Sequence, residues 1–213
     1  MVSANAGPCS MIGVIDYGLG NVQAFLDIYK RLNIPAIAVK KTEDLIACDK
    51  FILPGVGAFD WAIQSLENSG MRPALEKFVL QDKRPVLGVC VGMQMLANRS
   101  DEGVLKGLGW IPGDIQKFDE AHFDRLPHLP HMGWNDVVLT QINPLLTGIE
   151  APQFYFLHSY YFLPADSVSA IGATEYGGSF ASVVSRDNIY GTQFHPEKSH
   201  HWGMSLLKNF AAL

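Results

Sequence analysis

Cys90, His195 and Glu197 are the residues whose types and spacing could do chemistry in this chain. Cys90 lies in Leu87-Gly88-Val89-Cys90-Val91-Gly92-Met93-Gln94, an apolar run that breaks on Gly-x-Cys-x-Gly and then turns helical. That pattern puts a small nucleophile on a sharp strand-to-helix turn, with glycines on either side because a side chain there would clash. It matches the Gly-x-Ser-x-Gly elbow with a thiol replacing the hydroxyl. A cysteine that opens a helix meets free N–H groups and the helix dipole, and both favour the thiolate. Taken alone, the same five residues also fit a buried cysteine that ends a core strand.

A thiol nucleophile needs a base, and the base needs an orienting group. The segment Tyr190-Gly191-Thr192-Gln193-Phe194-His195-Pro196-Glu197-Lys198 offers both. Pro196 stops the strand that His195 ends. Glu197, two residues on, can turn its carboxylate back to the imidazole. His128, His131 and His158 lie in aromatic- or proline-rich segments, where a buried, hydrogen-bonded histidine is the ordinary outcome. His200 and His201 precede the last helix and read as solvated. No acidic or cysteine ligands cluster with these histidines, so no metal site is expected.

Two glycine turns invite a nucleotide-binding reading and fail it. Gly18-Leu19-Gly20 lacks the third glycine of Gly-x-Gly-x-x-Gly, and Pro54-Gly55-Val56-Gly57 lacks the Gly-Lys-Ser/Thr of a phosphate loop. Both still place bare backbone N–H groups at the carboxyl ends of strands, where open α/β sheets bind ligands. The second turn is therefore a candidate ligand or oxyanion loop.

The elements that must position these groups alternate. Strands are expected over residues 11–16, 34–39, 51–53 and 86–89, with Pro54 ending the third. The first is followed by a helix with Val22, Phe25, Leu26, Tyr29 and Leu32 on one face. Thr42 starts a short helix, residues 59–80 form two helical pieces broken around Gly70 and Pro73, and residues 91–98 form the elbow helix. Alternation of this kind implies an α/β fold with a parallel sheet. After about Gly103 the pattern changes to short alternating runs, with a hairpin at Asp187-Asn188 and a closing helix carrying Leu206, Leu207 and Phe210. Residues 1–10 read as a loose leader and 11–213 as one domain.

Of the 213 residues, 48% are hydrophobic and 17% charged, enough to bury a sizeable core. The net charge of -5, without a lysine or arginine cluster, argues against nucleic-acid or anionic-membrane binding. The 3 cysteines, Cys9, Cys48 and Cys90, form no disulfide framework and point to a reducing compartment. With no membrane-length apolar run and no signal-peptide pattern, a soluble cytoplasmic protein is expected.

The elbow, the Pro54–Gly57 turn and His195-Pro196-Glu197, in this order, resemble a class I (triad) glutamine amidotransferase. Further segments narrow the likeness: Asp16-Tyr17-Gly18-Leu19-Gly20-Asn21, Pro130-His131-Met132-Gly133-Trp134-Asn135, Phe154-Tyr155-Phe156-Leu157-His158-Ser159-Tyr160 and Gln193–Ser199. These resemble the glutaminase subunits of imidazole glycerol phosphate synthase, from about Met11 to the C-terminus. The resemblance implies a flavodoxin-like core, that is, an open, mostly parallel sheet with helices on both faces and an antiparallel C-terminal extension. It implies hydrolysis of L-glutamine to glutamate and ammonia, with Cys90 as nucleophile, His195 as base then acid, and Glu197 fixing its tautomer. It also implies an oxyanion site from Val91 and the Val56-Gly57 peptide, and glutamine held by Gly55, Gln94, Ser159 and Tyr160. No cofactor is called for. Ammonia would pass to a (β/α)8-barrel cyclase subunit, which Asn21, Trp134, Tyr155 and Lys198 would face, for histidine biosynthesis.

A near alternative keeps the chemistry and sends the ammonia to amidination of a surface-polysaccharide sugar. It is prompted by Lys198-Ser199-His200-His201-Trp202-Gly203-Met204 and Asn98-Arg99-Ser100-Asp101-Glu102-Gly103. A cysteine peptidase, a thiol chaperone or a binding module on the same fold fits the intact His195-Pro196-Glu197 less well.

Overall fold

The structure, a computed structural model, describes residues 10–122 and 129–213. The expected leader, apart from Ser10, lies outside the described residues, as do Cys9 and His128. Ser10 itself accepts a hydrogen bond from the buried Lys50 Nζ at 3.0 Å, and the same ammonium donates to Ala211 O at 2.8 Å.

The first half of the chain builds β1 (Ile12–Ile15), α1 (Val22–Arg31), β2 (Ala36–Val39), β3 (Lys50–Gly55), α2 (Phe59–Asn68), α3 (Arg72–Glu76), β4 (Val86–Cys90), α4 (Val91–Gln94) and β5 (Arg99–Ser100). The second half adds β6 (Gly113–Lys117), β7 (His131–Asp136), β8 (Val138–Leu139), β9 (Gln153–His158), β10 (Tyr160–Pro164), β11 (Ala170–Glu175), β12 (Ser179–Arg186), β13 (Ile189–Thr192) and α5 (His200–Ala212).

The main sheet runs β2-β1-β3-β4-β13-β12-β10-β6-β5. It is parallel from β2 through β13 and antiparallel from β13 through β6, so the parallel core and the antiparallel extension are one surface. β1, β3 and β4 are buried along their whole length, as expected of central parallel strands read as continuous apolar runs. α1 buries Phe25, Ile28 and Tyr29, a stripe at helical spacing, and Tyr29 Oη donates to Leu207 O of α5 at 3.2 Å. β7 and β9 form a separate antiparallel pair.

Several elements differ from expectation. β3 does not stop at Pro54 but runs on to Gly55, paired with Val89 and Cys90 of β4. The pairing with β1 ends at Ile52, so on that side Pro54 has no ladder partner for its missing N–H to serve. The Thr42 segment is a 3-10 turn, Thr42–Ala47. Pro73 opens α3 rather than breaking a helix, which suits its lack of an N–H. The elbow helix covers only Val91–Gln94; the chain then leaves to let Asn98 N bond Gly113 O and Arg99 join β5. His200 and His201 are the first residues of α5 rather than its forerunners, and both are exposed. The hairpin at Asp187-Asn188 joins β12 and β13 as expected, with Asp187 at φ 53°.

β4 meets α4 where the backbones crowd most. A Cβ on Gly88 would lie 2.6 Å from Gly92 O, and one on Gly92 would overlap the Leu53 carbonyl oxygen of β3. Gly92→Ala is therefore expected to destabilise the fold by about 3 kcal/mol or more, since neither clashing partner is a side chain that can swing away. A fall of that size in the unfolding free energy from urea titration, with secondary structure retained at low urea, checks this.

Candidate active site

The elbow holds Cys90 at φ 56° and ψ -114°, a conformation costly for a residue with a Cβ and tolerated where surroundings over-determine it. It turns the sulfur off the end of β4, 4% exposed, into a cavity of about 260 Å³. The parallel register carries β13 alongside β4, and the chain after β13 delivers His195 to the same cavity. His195 is braced by its own backbone: its N–H donates to Tyr155 O at 2.9 Å, and its carbonyl accepts from Ser199 Oγ at 2.6 Å. Pro196 opens a 3-10 turn that brings Glu197 back on the ring.

His195 Nδ1 lies 2.8 Å from Glu197 Oε1, with both side chains almost wholly buried. The Cys90 sulfur lines the same cavity, close enough to bear on the charge of the ring. Burial by itself would lower the imidazole's proton affinity. The Cys90 sulfur and then the Glu197 carboxylate outweigh it, and the value is raised to about 10. Cys90 and Glu197 thus both favour a proton on His195.

The loop after β3 supplies Val56 and Gly57 to the cavity wall, and Val91 adds the first peptide of α4. Gly57 has φ 83° and open space where a Cβ would be, so this peptide is free of packing on that side. Gln94, Ser159 and Tyr160 also line the cavity. Gly55 does not: it packs under the elbow, where a Cβ would strike Gly92 N and lie 2.8 Å from Val91 C.

Gln193 and Glu102 add to what spacing had suggested. Gln94 Nε2 donates to Gln193 Oε1 at 3.1 Å, and Gln193 Nε2 sits 3.9 Å from Cys90 Sγ. Its position two residues before His195 was a readable signal, since alternate residues of an extended chain share a face. Glu102 reaches the cavity from the loop after β5, held by Phe59 N at 2.9 Å, and no local pattern announces it. Of the residues expected at a partner, Asn21 is exposed and caps α1. Trp134 is 45% exposed, with Tyr155, His200 and Trp202 rings 6.3, 5.2 and 6.1 Å away. Lys198 lies over the Tyr155 ring at 5.8 Å and also lines the cavity.

The sequence profile of the family described as glutamine amidotransferase class-I matches residues 13–212. A protein of Bdellovibrio bacteriovorus named imidazole glycerol phosphate synthase subunit HisH is 52% identical over 204 residues, 95% of this chain and 100% of that one. One of the same name from Leptospira interrogans is 50% identical over equal coverage, and one from Methanocaldococcus jannaschii is 43% identical over 208 residues, again 95% and 100%. The chain belongs to the HisH family of class I glutamine amidotransferases. A solved glutamine amidotransferase, 19% identical, superposes with a TM-score of 0.72 over 95% of this chain and 99% of its own, which shows the shared fold. As a HisH family member the chain is an enzyme of glutamine amidotransfer. Among the described residues no helix is long and apolar enough to cross a membrane.

His195 is held above its ordinary value of 6.5, so its proton contributes stability that is complete below about pH 6.5 and lost as pH rises through about 10. Across that window, stability against urea is expected to fall more in the wild type than in Glu197→Gln, which lacks one of the groups favouring the proton.

Proposed function

We propose that this chain is a cytoplasmic glutaminase subunit that cleaves L-glutamine to glutamate and ammonia. The observation that carries the reading is that Cys90 and His195 line one small cavity, with Glu197 bonded to the His195 ring at Nδ1. Cys90 as thiolate attacks the side-chain amide carbon, and the tetrahedral oxyanion sits between the N–H of Val91 and one from the Val56-Gly57 peptide. His195, already protonated, gives its proton to the departing nitrogen, which leaves as ammonia. It then takes a proton from the water that cleaves the thioester, releasing glutamate and restoring Cys90. Glu197 keeps the ring in register through both transfers.

The cavity's size supports a free amino acid. At about 260 Å³ it is smaller than the roughly 300–1,000 Å³ of pockets for drug-sized ligands, too small for a folded peptide strand. Gln94, with the Ser159 and Tyr160 backbone, grips the substrate, and the Glu102 carboxylate offers a counter-charge for its α-ammonium. Gly55 acts at one remove, by letting the elbow sit against β3.

The relatives are named as subunits, and we assign a partner face to Trp134, Tyr155 and Lys198, with Asn21 at its margin. The exposed Trp134 supports this, since aromatic residues half-open to solvent anchor interfaces. The partner is a (β/α)8-barrel cyclase that takes the ammonia to make imidazole glycerol phosphate and an aminoimidazole carboxamide ribotide. The unhindered Gly57 allows the Val56-Gly57 peptide to turn when the partner docks, which would keep the isolated chain slow.

A glutamine-analogue electrophile such as diazo-oxo-norleucine is expected to label Cys90, with labelling abolished in Cys90→Ala; labelling at Cys9 or Cys48 would sink the assignment. Glu197→Gln is expected to lower kcat by roughly 10²–10⁴-fold, as when a triad carboxylate is lost. The isolated chain should turn over glutamine far below the rate of the complex; an equal rate would exclude the peptide switch. Complementation of a histidine auxotroph lacking this subunit tests the destination of the ammonia. Failure to complement, with Cys90 chemistry intact, would favour sugar amidination.

A further inference from the structure

Two buried histidines take no part in the chemistry assigned to Cys90, His195 and Glu197. His131 of β7 and His158 of β9 are paired across the two-stranded sheet, with His131 Nδ1 2.9 Å from His158 Nε2. The His131 ring is stacked by Phe156 at 4.7 Å and Tyr176 at 3.9 Å. Burial pushes His131 down to about 4. Burial, with smaller contributions from the neighbouring His131 and His195, pushes His158 down to about 3 against an opposing hydrogen bond with Tyr160. Both rings are therefore neutral near pH 7, each with one N–H and one lone pair.

Where those protons sit follows from a group that cannot be turned round. The Tyr160 carbonyl only accepts, and it lies 2.9 Å from His158 Nδ1, so that nitrogen carries the proton and Nε2 is bare. His131 Nδ1 must then donate to His158, which leaves His131 Nε2 bare, 3.2 Å from Asn135 Nδ2. The Asn135 amide agrees independently: Nδ2 also donates to Glu175 O at 3.1 Å, and Oδ1 accepts from Asp136 N at 2.8 Å. Gln94 Nε2 donates to the same Tyr160 carbonyl at 3.0 Å and to Gln193 Oε1, which points Gln193 Nε2 at the sulfur.

We propose that His131 and Asn135 are positioning residues, and that the directed chain Asn135→His131→His158→Tyr160 carbonyl fixes His158 in its Nδ1–H form and holds the Tyr160 peptide against Gln94. His158 lines the cavity beside His195. With one nitrogen committed to Tyr160 and the other to His131, it cannot compete for the proton that His195 handles. Along β7 the relay residues His131 and Asn135 alternate with Met132 and Trp134, which are 62% and 45% exposed. The strand that begins the relay is thus the one that displays the assigned partner face. The effect on catalysis rests on the glutaminase reading; the proton positions do not.

Long-range nitrogen–proton correlation spectra of the full chain, labelled with ¹⁵N at histidine, read the tautomers directly. The wild type is expected to show the two signals assigned to His131 and His158 as Nδ1–H forms, and an Nε2–H form at either overturns the relay. His131→Phe keeps a ring in the stack and removes the donor, and Asn135→Ala removes the first link at a half-buried site. Each is expected to raise the half-saturating concentration for labelling Cys90 with diazo-oxo-norleucine by about tenfold, the effect of one lost buried hydrogen bond, with a smaller change in the limiting rate. An unchanged half-saturating concentration in both variants, each shown folded by its thermal transition, overturns the proposal. Should the wild-type Cys90 resist labelling, the glutaminase reading fails, and the tautomers still decide the relay.

Discussion

The backbone of the elbow passes close against the end of β3, and the rest of the site depends on that approach. Cys90 keeps its unfavourable φ of 56° because Gly55, Gly88 and Gly92 let three backbone segments touch where any side chain would separate them. The register of β3 on β4, Gly55 opposite Cys90, then brings the Val56-Gly57 peptide to the Cys90 cavity without further machinery. Tyr17 secures the same corner, donating to Pro54 O at 2.6 Å from beneath. Burial first, and the nearby Cys90 second, keep its phenol protonated and so able to donate.

The antiparallel half of the sheet contributes in a different way. β13 continues the parallel core beside β4 and releases the chain at Thr192, so His195 arrives from the strand next to the one that ends on Cys90. Tyr155 and Ser199 then fix its backbone, and the side chain needs only Glu197 to complete its orientation. A histidine held by main-chain bonds on one side and a buried carboxylate on the other keeps little conformational freedom to lose.

Much of this was legible in the sequence, and for identifiable reasons. Gly88-Val89-Cys90-Val91-Gly92 is readable because close backbone approach forbids side chains, and His195-Pro196-Glu197 because local chain geometry alone brings the carboxylate to the ring. Strand and helix order followed from apolar runs, although the parallel register that joins them did not. The extent of β3 past Pro54 was hidden, since a missing N–H matters only where a neighbouring strand pairs with it, and the β1 pairing ends first. The four residues of α4 were hidden for a related reason: Met95, Leu96 and Ala97 are good helix formers, yet tertiary pairing of Asn98 with Gly113 wins. Glu102 and the His131–His158 pair come together only through long-range folding, and local spacing has no way to report that.

Strand β7 has a period of two, and its two sides answer to different demands. Met132, Trp134 and Asp136 meet the outside, while His131 and Asn135 are tied into hydrogen bonds whose directions are all dictated by one carbonyl. Substitutions on the outer side change what the strand can recognise without disturbing any buried proton. A duplicated gene could therefore acquire a new docking specificity by drift at alternate positions of a single strand, with its amide chemistry carried along intact.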